Sequence, residues 1–249
     1  MHNKPILWLL LFFVFLTSCQ TINRDRAELG IPKYMVIFSF DDGPDAHTTP
    51  KLLDVLKKYQ IRALFCLLGV NAAQYPNLVR RIHDEGHYIV NHGYSGKWAS
   101  RMNNEEFRND LIRGEEAISA ALGFDLHPRL YRPHGGFYRA RHERIWTNEA
   151  YAFVPVTVRV HDAVASAARQ DRIVRRTIRK IERQSGGIIL LHDGRDSHYR
   201  RAVQLEKNPD GAFNRSWIPD AVEEIITALL AMGFILNEPG ILAAIGLDY

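Results

Sequence analysis

Five short stretches of this chain place ionisable side chains at or just beyond a run of apolar residues. They are Ser39-Phe40-Asp41-Asp42-Gly43-Pro44, Asn91-His92-Gly93, Tyr131-Arg132-Pro133-His134, His161-Asp162 and Leu190-Leu191-His192. Together they contain what a metal-assisted hydrolytic site needs. Adjacent carboxylates at the end of a strand point to opposite sides. One of Asp41 and Asp42 can then ligate a divalent ion while the other stays free as a base. A neutral imidazole such as His92 suits zinc, cobalt or nickel as a partner ligand. A second imidazole, His192, can protonate a leaving group. A buried arginine can hold a carboxylate ionised and oriented.

These groups can act together only if the fold brings the strand ends to one place. Short apolar runs at 34–40, 62–68, 88–91, 129–131, 153–158, 187–191 and 234–236 read as strands. Between them lie helical periods at 49–59, 75–84, 104–122, 140–149, 169–184 and 219–232. Seven strands alternating with helices predict one parallel α/β domain over 33–245, with its site at the C-terminal ends of the strands. The period at 169–184 buries Ile173, Val174, Thr177, Ile178 and Ile181 on one stripe and turns arginines to solvent. Residues 193–217 read as a long loop rich in Arg and aromatic residues, which would suit a glycan carrying anionic groups.

Composition narrows the class. The 249 residues are 46% hydrophobic and 24% charged, with a net charge of +4, which excludes wholesale disorder and gives no reason to expect nucleic acid. No protein partner is expected. Two cysteines, Cys19 and Cys66, are too few for a disulfide scaffold, and Cys66 sits in an apolar run as a buried, inert thiol. The apolar run from Ile6 to Leu16 is too short to span a bilayer and follows Lys4, as in an export signal over 1–18. Leu16-Thr17-Ser18-Cys19 resembles the bacterial lipobox, which implies a lipid anchor on Cys19, a membrane attachment and a cell-envelope location. In a Gram-negative host, Gln20 after it resembles an outer-membrane sorting signal. Residues 19–32 are then expected to be a polar tether.

The ordered set of motifs resembles the polysaccharide deacetylases with NodB homology, carbohydrate esterase family 4, over residues 33–238. The resemblance implies a distorted (β/α)7 barrel and metal-dependent removal of acetyl groups from N-acetylated sugars, as in peptidoglycan or an exported polysaccharide. It implies Asp41 as catalytic base, Asp42 and His92 as metal ligands, Arg132 as support for Asp41, and His192 as acid with Asp162 behind it. The metal is expected to be zinc, with cobalt or nickel as substitutes. Ala163 stands where the family has Trp, and Trp98 is the residue that could replace that apolar wall.

The main departure is Gly96, where the family has a second histidine ligand. A third ligand must then come from His47, His134 or His161, or from water. Two other readings follow from Gly96 and from the generality of the fold: a carbohydrate-binding pseudoenzyme, and an esterase or deformylase acting on a related acyl group. In the hydrolytic reading, the backbone N–H of Tyr94 or a neighbour is expected to help hold the oxyanion.

Overall fold

The computed structural model describes residues 19–195, 198–237 and 243. The strands are β1 (Cys19–Thr21), β2 (Val36–Gly43), β3 (Leu64–Leu67), β4 (Tyr88–Asn91), β5 (Leu130–Tyr131), β6 (Phe137–Arg139), β7 (Ala152–Phe153), β8 (Val158–Arg159) and β9 (Gly187–His192). The helices are α1 (Thr49–Lys58), α2 (Gly69–Gln74), α3 (Pro76–Asp84), α4 (Asn104–Leu122), α5 (Ala140–Asn148), α6 (Gln170–Gln184), α7 (His198–Lys207) and α8 (Ile218–Ala231). Seven strands form one parallel sheet in the order β7-β5-β4-β3-β2-β9-β8, while β1 and β6 pair antiparallel beside it.

The sheet is curled, and its sequence of connections shows why. Strands β7 and β8 lie at its opposite edges, yet only residues 154–157 separate them in the chain. Five backbone steps reach roughly 17 Å at full extension. The two edges must therefore approach, as in a barrel left partly open. This corrects the single strand expected over 153–158. Pro155 has no N–H to give a ladder, and the chain leaves one edge there and joins the other. The strand expected at 234–236 is reduced to a bridge from Ile235 to Met35.

Alternation along the central strands sorts the core into two faces. Phe38, Phe40, Phe65 and Leu67 face outward and pack with Leu52 and Leu56 of α1 and with Ile225 of α8. Ile37, Leu64, Cys66, Val90 and Ile188 form a separate cluster on the inner face. Both faces are covered, so β2 is buried along its whole length. Helix α6 buries Ile173, Val174, Thr177 and Ile181, as its periodicity predicts. Helix α4 begins in a capping box between Asn103 and Glu106 and ends at Gly123 in a left-handed conformation.

Two further expectations change. Residues 19–32 are packed rather than a free tether: β1 pairs with β6, and Ile22 and Ile31 are each 1% exposed. The stretch 193–217 is not all loop, because α7 lies within it. Residues 1–18, where the export signal is expected, lie outside the described residues. No helix among the described residues is long and apolar enough to cross a membrane.

Candidate active site

The inward register of β2 runs Ile37, Ser39, Asp41, and that of β9 runs Ile188, Leu190, His192. Asp41 and His192 are direct neighbours across these two strands. Asp42, next along β2, should by alternation face outward. Instead the pairing of β2 with β3 slips between Asp41 and Gly43, and Asp42 takes φ = 70°. The bulge turns Asp42 back, so both carboxylates line one cavity of about 610 Å³ together with His92, His134, Asp162 and His192. The expectation that they point to opposite sides fails for this reason. A non-glycine residue held in the left-handed region is strain of the kind that sites retain.

Three ligand atoms meet in the cavity. Asp42, His92 and His134 offer atoms that all lie within 4.8 Å of one another. His134 Nε2 is 3.3 Å from Asp42 Oδ1, and His92 Nε2 is 3.5 Å from it. Bonds of about 2.0–2.1 Å at tetrahedral angles set ligand atoms about 3.3 Å apart, so these separations fit a zinc-sized ion. Asp42 Oδ1 is buried and makes no hydrogen bond, which is the condition of an atom awaiting a cation. The His92 ring is fixed by its other nitrogen: Nδ1 lies 2.7 Å from the carbonyl oxygen of Arg132, so Nδ1–H donates there and Nε2 faces both carboxylates, 3.4 Å from Asp41 Oδ2 and 3.5 Å from Asp42 Oδ1. Burial opposes charge on Asp42, but His134 and His92 outweigh it and hold the carboxyl well below its ordinary range.

Of the three candidates for a third ligand, His134 is the one that joins Asp42 and His92 in the cluster, and His47 and His161 lie outside it. His134 comes from a different loop than Gly96, directly after β5 and the Arg132-Pro133 pair. Gly96 itself has φ = 71°, a backbone that an L-histidine would enter only with strain.

Two charged pairs flank the cluster. Arg132, fully buried, donates from Nη1 to Asp41 Oδ1 at 2.6 Å and to Ser39 Oγ at 2.9 Å. Its Nε and Nη2 donate to the carbonyls of Val154 and Pro155, at 3.2 and 3.0 Å. Those carbonyls fall in the segment that crosses between the sheet edges, so the broken strand supplies the acceptors that fix the guanidinium. Burial would raise the pKa of Asp41, but Arg132, with His92 and His192, lowers it below the ordinary range.

On the other side, His192 Nδ1 lies 3.0 Å from Asp162 Oδ1, and the His192 backbone N–H donates to Asp162 Oδ2 at 2.9 Å. Burial would lower the pKa of His192; the Asp162 charge and hydrogen bond raise it instead. The two environments thus push the neighbours apart, favouring the carboxylate form of Asp41 and the imidazolium form of His192.

Arg215 completes this half and is absent from the motifs. It is fully buried and donates from Nη2 to Asp162 Oδ2 at 2.5 Å, from Nη1 to the Asp162 carbonyl at 2.9 Å, and from Nε to the His192 carbonyl at 3.2 Å. It stands to Asp162 as Arg132 stands to Asp41. Its place among several arginines of 193–217 carries no local signal that sets it apart.

The walls also differ in one respect from expectation. The N–H groups of Tyr94 and Ser95 donate to Asp110 at 3.0 and 2.9 Å, so neither is free for an oxyanion. Trp98 and Ala163 both line the cavity. The Trp98 ring lies over Gly135, where a Cβ would come within 2.7 Å.

Comparison with known proteins agrees with this geometry. A sequence model of the family described as polysaccharide deacetylase matches residues 30–154. A peptidoglycan-N-acetylglucosamine deacetylase of Bacillus cereus is 46% identical over 101 residues, 41% of this chain and 36% of that protein, so the chain spans about a third of that relative. A chitooligosaccharide deacetylase of Bradyrhizobium sp. (strain ANU 289) is 31% identical over 205 residues, 80% of this chain and 86% of the relative. Among solved structures, a peptidoglycan N-acetylglucosamine deacetylase in complex with a naphthalenyl N-oxidanyl-benzamide superposes with a TM-score of 0.68 at 30% identity, covering 93% of both chains. With the family model and a full-length relative agreeing with the barrel and its cavity, the chain belongs to the polysaccharide deacetylase family.

Proposed function

We propose that the protein hydrolyses the N-acetyl group of an N-acetylated sugar in a glycan, releasing acetate and a free amine. The observation that carries this is the pairing of Asp41 with His192 across β2 and β9, the pKa of one lowered and of the other raised, beside three residues that could hold a metal. Asp42, His92 and His134 would hold a divalent ion, zinc foremost and cobalt or nickel as substitutes. When bound, the ion supplies Lewis-acid polarisation of a carbonyl and stabilises negative charge on its oxygen. Asp41 accepts a proton from the attacking water, and Arg132 keeps it ionised and aimed. His192 gives its proton to the departing nitrogen, which needs one because an amide ion is too basic to leave. Asp162 orients the imidazole through Nδ1, so Nε2 faces the reaction.

The binding-only reading drew on Gly96 alone. His134 beside Asp42 and His92 supports the hydrolytic reading instead, because a third ligand atom is at hand without a histidine at position 96. Relatives named for peptidoglycan and for chitooligosaccharides both support N-deacetylation of glucosamine units. The test is acetate release from an N-acetylglucosamine tetramer with added zinc. Asp41→Asn and His192→Ala should each lower kcat by about 10²–10⁴-fold with metal content retained. Absence of acetate from the wild type with every added metal would contradict the reading.

We further propose that residues 1–18 direct export and that Cys19 carries lipid, so the enzyme works at a membrane in the cell envelope. Detergent-phase partition of the expressed protein should be lost in Cys19→Ser; equal partition of the two would remove the anchor.

A further inference from the structure

Three arginines line the cavity without serving the proton-transfer pairs, and they come from three separate segments. Arg101 lies over the ring of Trp98 at 4.4 Å, Arg159 over Phe137 at 5.8 Å, and Arg195 over Phe213 at 4.6 Å. All six of these side chains border the same space as Asp41, Asp42 and His192. None of the three guanidiniums has a carboxylate partner among the described residues. The fourth cation of the rim, Lys97, differs: its ammonium is held by Glu106 at 2.9 Å.

The carboxylates that border the cavity are no substitute. Asp41 is taken by Arg132, and Asp162 by His192 and Arg215. Asp42 faces His92 and His134. Arg195 Nη1 is buried with no hydrogen-bond acceptor, a cost that a bound oxyanion would remove. The backbone also makes room for these cations. A Cβ at Gly136 would meet Arg159 Nη2 at 2.8 Å, and Gly136 has φ = 76°, so this position suits glycine on both counts. A ring face beside each guanidinium attracts the cation without using its N–H donors, which stay available to an acceptor.

We propose that Arg101, Arg159 and Arg195 form an anion subsite, and that the preferred substrate is a glycan carrying an oxyanion on a sugar next to the N-acetylated one. This rests on the deacetylase reading for its orientation in the cleft. Guanidinium pairs carboxylate and phosphate oxygens equally well in geometry, so the shared chemistry is the oxyanion. A neutral N-acetylglucosamine oligomer would fill the cleft and leave the three charges unmet.

The test compares binding of matched tetrasaccharides to the full metal-loaded protein by titration calorimetry. One is the neutral N-acetylglucosamine tetramer. A second carries lactyl-ether carboxylates on alternate sugars, a third is its methyl ester, and a fourth bears 6-phosphates instead. The carboxylated or the phosphorylated glycan should bind about tenfold tighter than the neutral and esterified ones, and whichever is tighter identifies the oxyanion. The advantage should shrink when salt is raised from 0.05 to about 0.5 M. It should fall to below about threefold in the triple variant Arg101→Gln/Arg159→Gln/Arg195→Gln. Equal binding of charged and uncharged glycans, or an advantage that survives in the triple variant, overturns the subsite. Acetate release from the same glycans reads the deacetylase chemistry separately. No acetate with the charge preference intact would refute that chemistry and leave the subsite standing.

Discussion

At the scale of single residues, two buried arginines each hold a buried carboxylate of the site, Arg132 that of Asp41 and Arg215 that of Asp162. Arg132 neutralises Asp41 inside the barrel, and Arg132→Met would leave that carboxylate buried without its guanidinium partner. We expect a loss of about 3–5 kcal/mol in denaturant unfolding. The acid half gives a pH prediction. His192 has its pKa raised by Asp162 against the pull of burial, so its donating form is present below that raised pKa and lost as pH rises through it. Asp162→Asn removes the charge and weakens the hydrogen bond that do most to raise the pKa, leaving only the Asp42 and Asp41 charges against burial, so the alkaline limb of kcat against pH should move down by about one to three units. An unmoved limb would mean that His192 is not the proton donor. The motif residues were legible because each had a type suited to one task and a place beside an apolar run. Arg215 was not, since its contact with Asp162 joins residues 53 apart and leaves no trace in spacing. Nor could spacing choose His134 over His47 and His161, because that depends on how the loops after β2, β5 and β8 curl.

Among the elements, the connections decide the site as much as the strands do. Six of the seven expected strands lie in the sheet, because central strands buried on both faces read as continuous apolar runs. The count of seven was reached differently, with 153–158 split into β7 and β8 and 234–236 reduced to a bridge. Two-residue strands at the sheet edges carry too little periodicity to be read. The bulge at Asp42 was likewise invisible, since alternation along a strand says nothing of where it slips. The loop after β5 can be tested through Gly135. It has φ = 81° and lies under Trp98, whereas Gly123, at the end of α4, has φ = 88° and nothing within 4 Å of a Cβ. Gly135→Ala and Gly123→Ala should each cost about 1–2 kcal/mol from the backbone alone. Only Gly135→Ala should also weaken zinc binding, because it displaces the loop that carries His134. Equal zinc affinity in both variants would detach that loop from the metal.

For the whole molecule, the packed N-terminal segment changes how the barrel relates to anything attached at Cys19. Strand β1 joins β6 on the cavity side, Thr21 opposite Phe137, and Ile22 borders the cavity itself. Polar composition over 19–32 suggested a tether because the two apolar anchors, Ile22 and Ile31, are isolated among polar residues. Ile22→Ala should cost about 2–5 kcal/mol in thermal unfolding, where a residue of a loose tether would cost nothing. The proposed chemistry requires a metal held by Asp42, His92 and His134 in a chain with Gly96 where the family has its second histidine. Acetate release from the N-acetylglucosamine tetramer, titrated against free zinc for the wild type, His134→Ala, His47→Ala and His161→Ala, tests it most directly. The wild type, His47→Ala and His161→Ala should saturate at similar zinc concentrations. His134→Ala should need more than about a hundredfold more zinc or stay inactive, since even outer-shell partners of a metal site are worth 10–100-fold. A His134→Ala curve that overlays the wild type, or no zinc-dependent acetate from the wild type, would contradict the account.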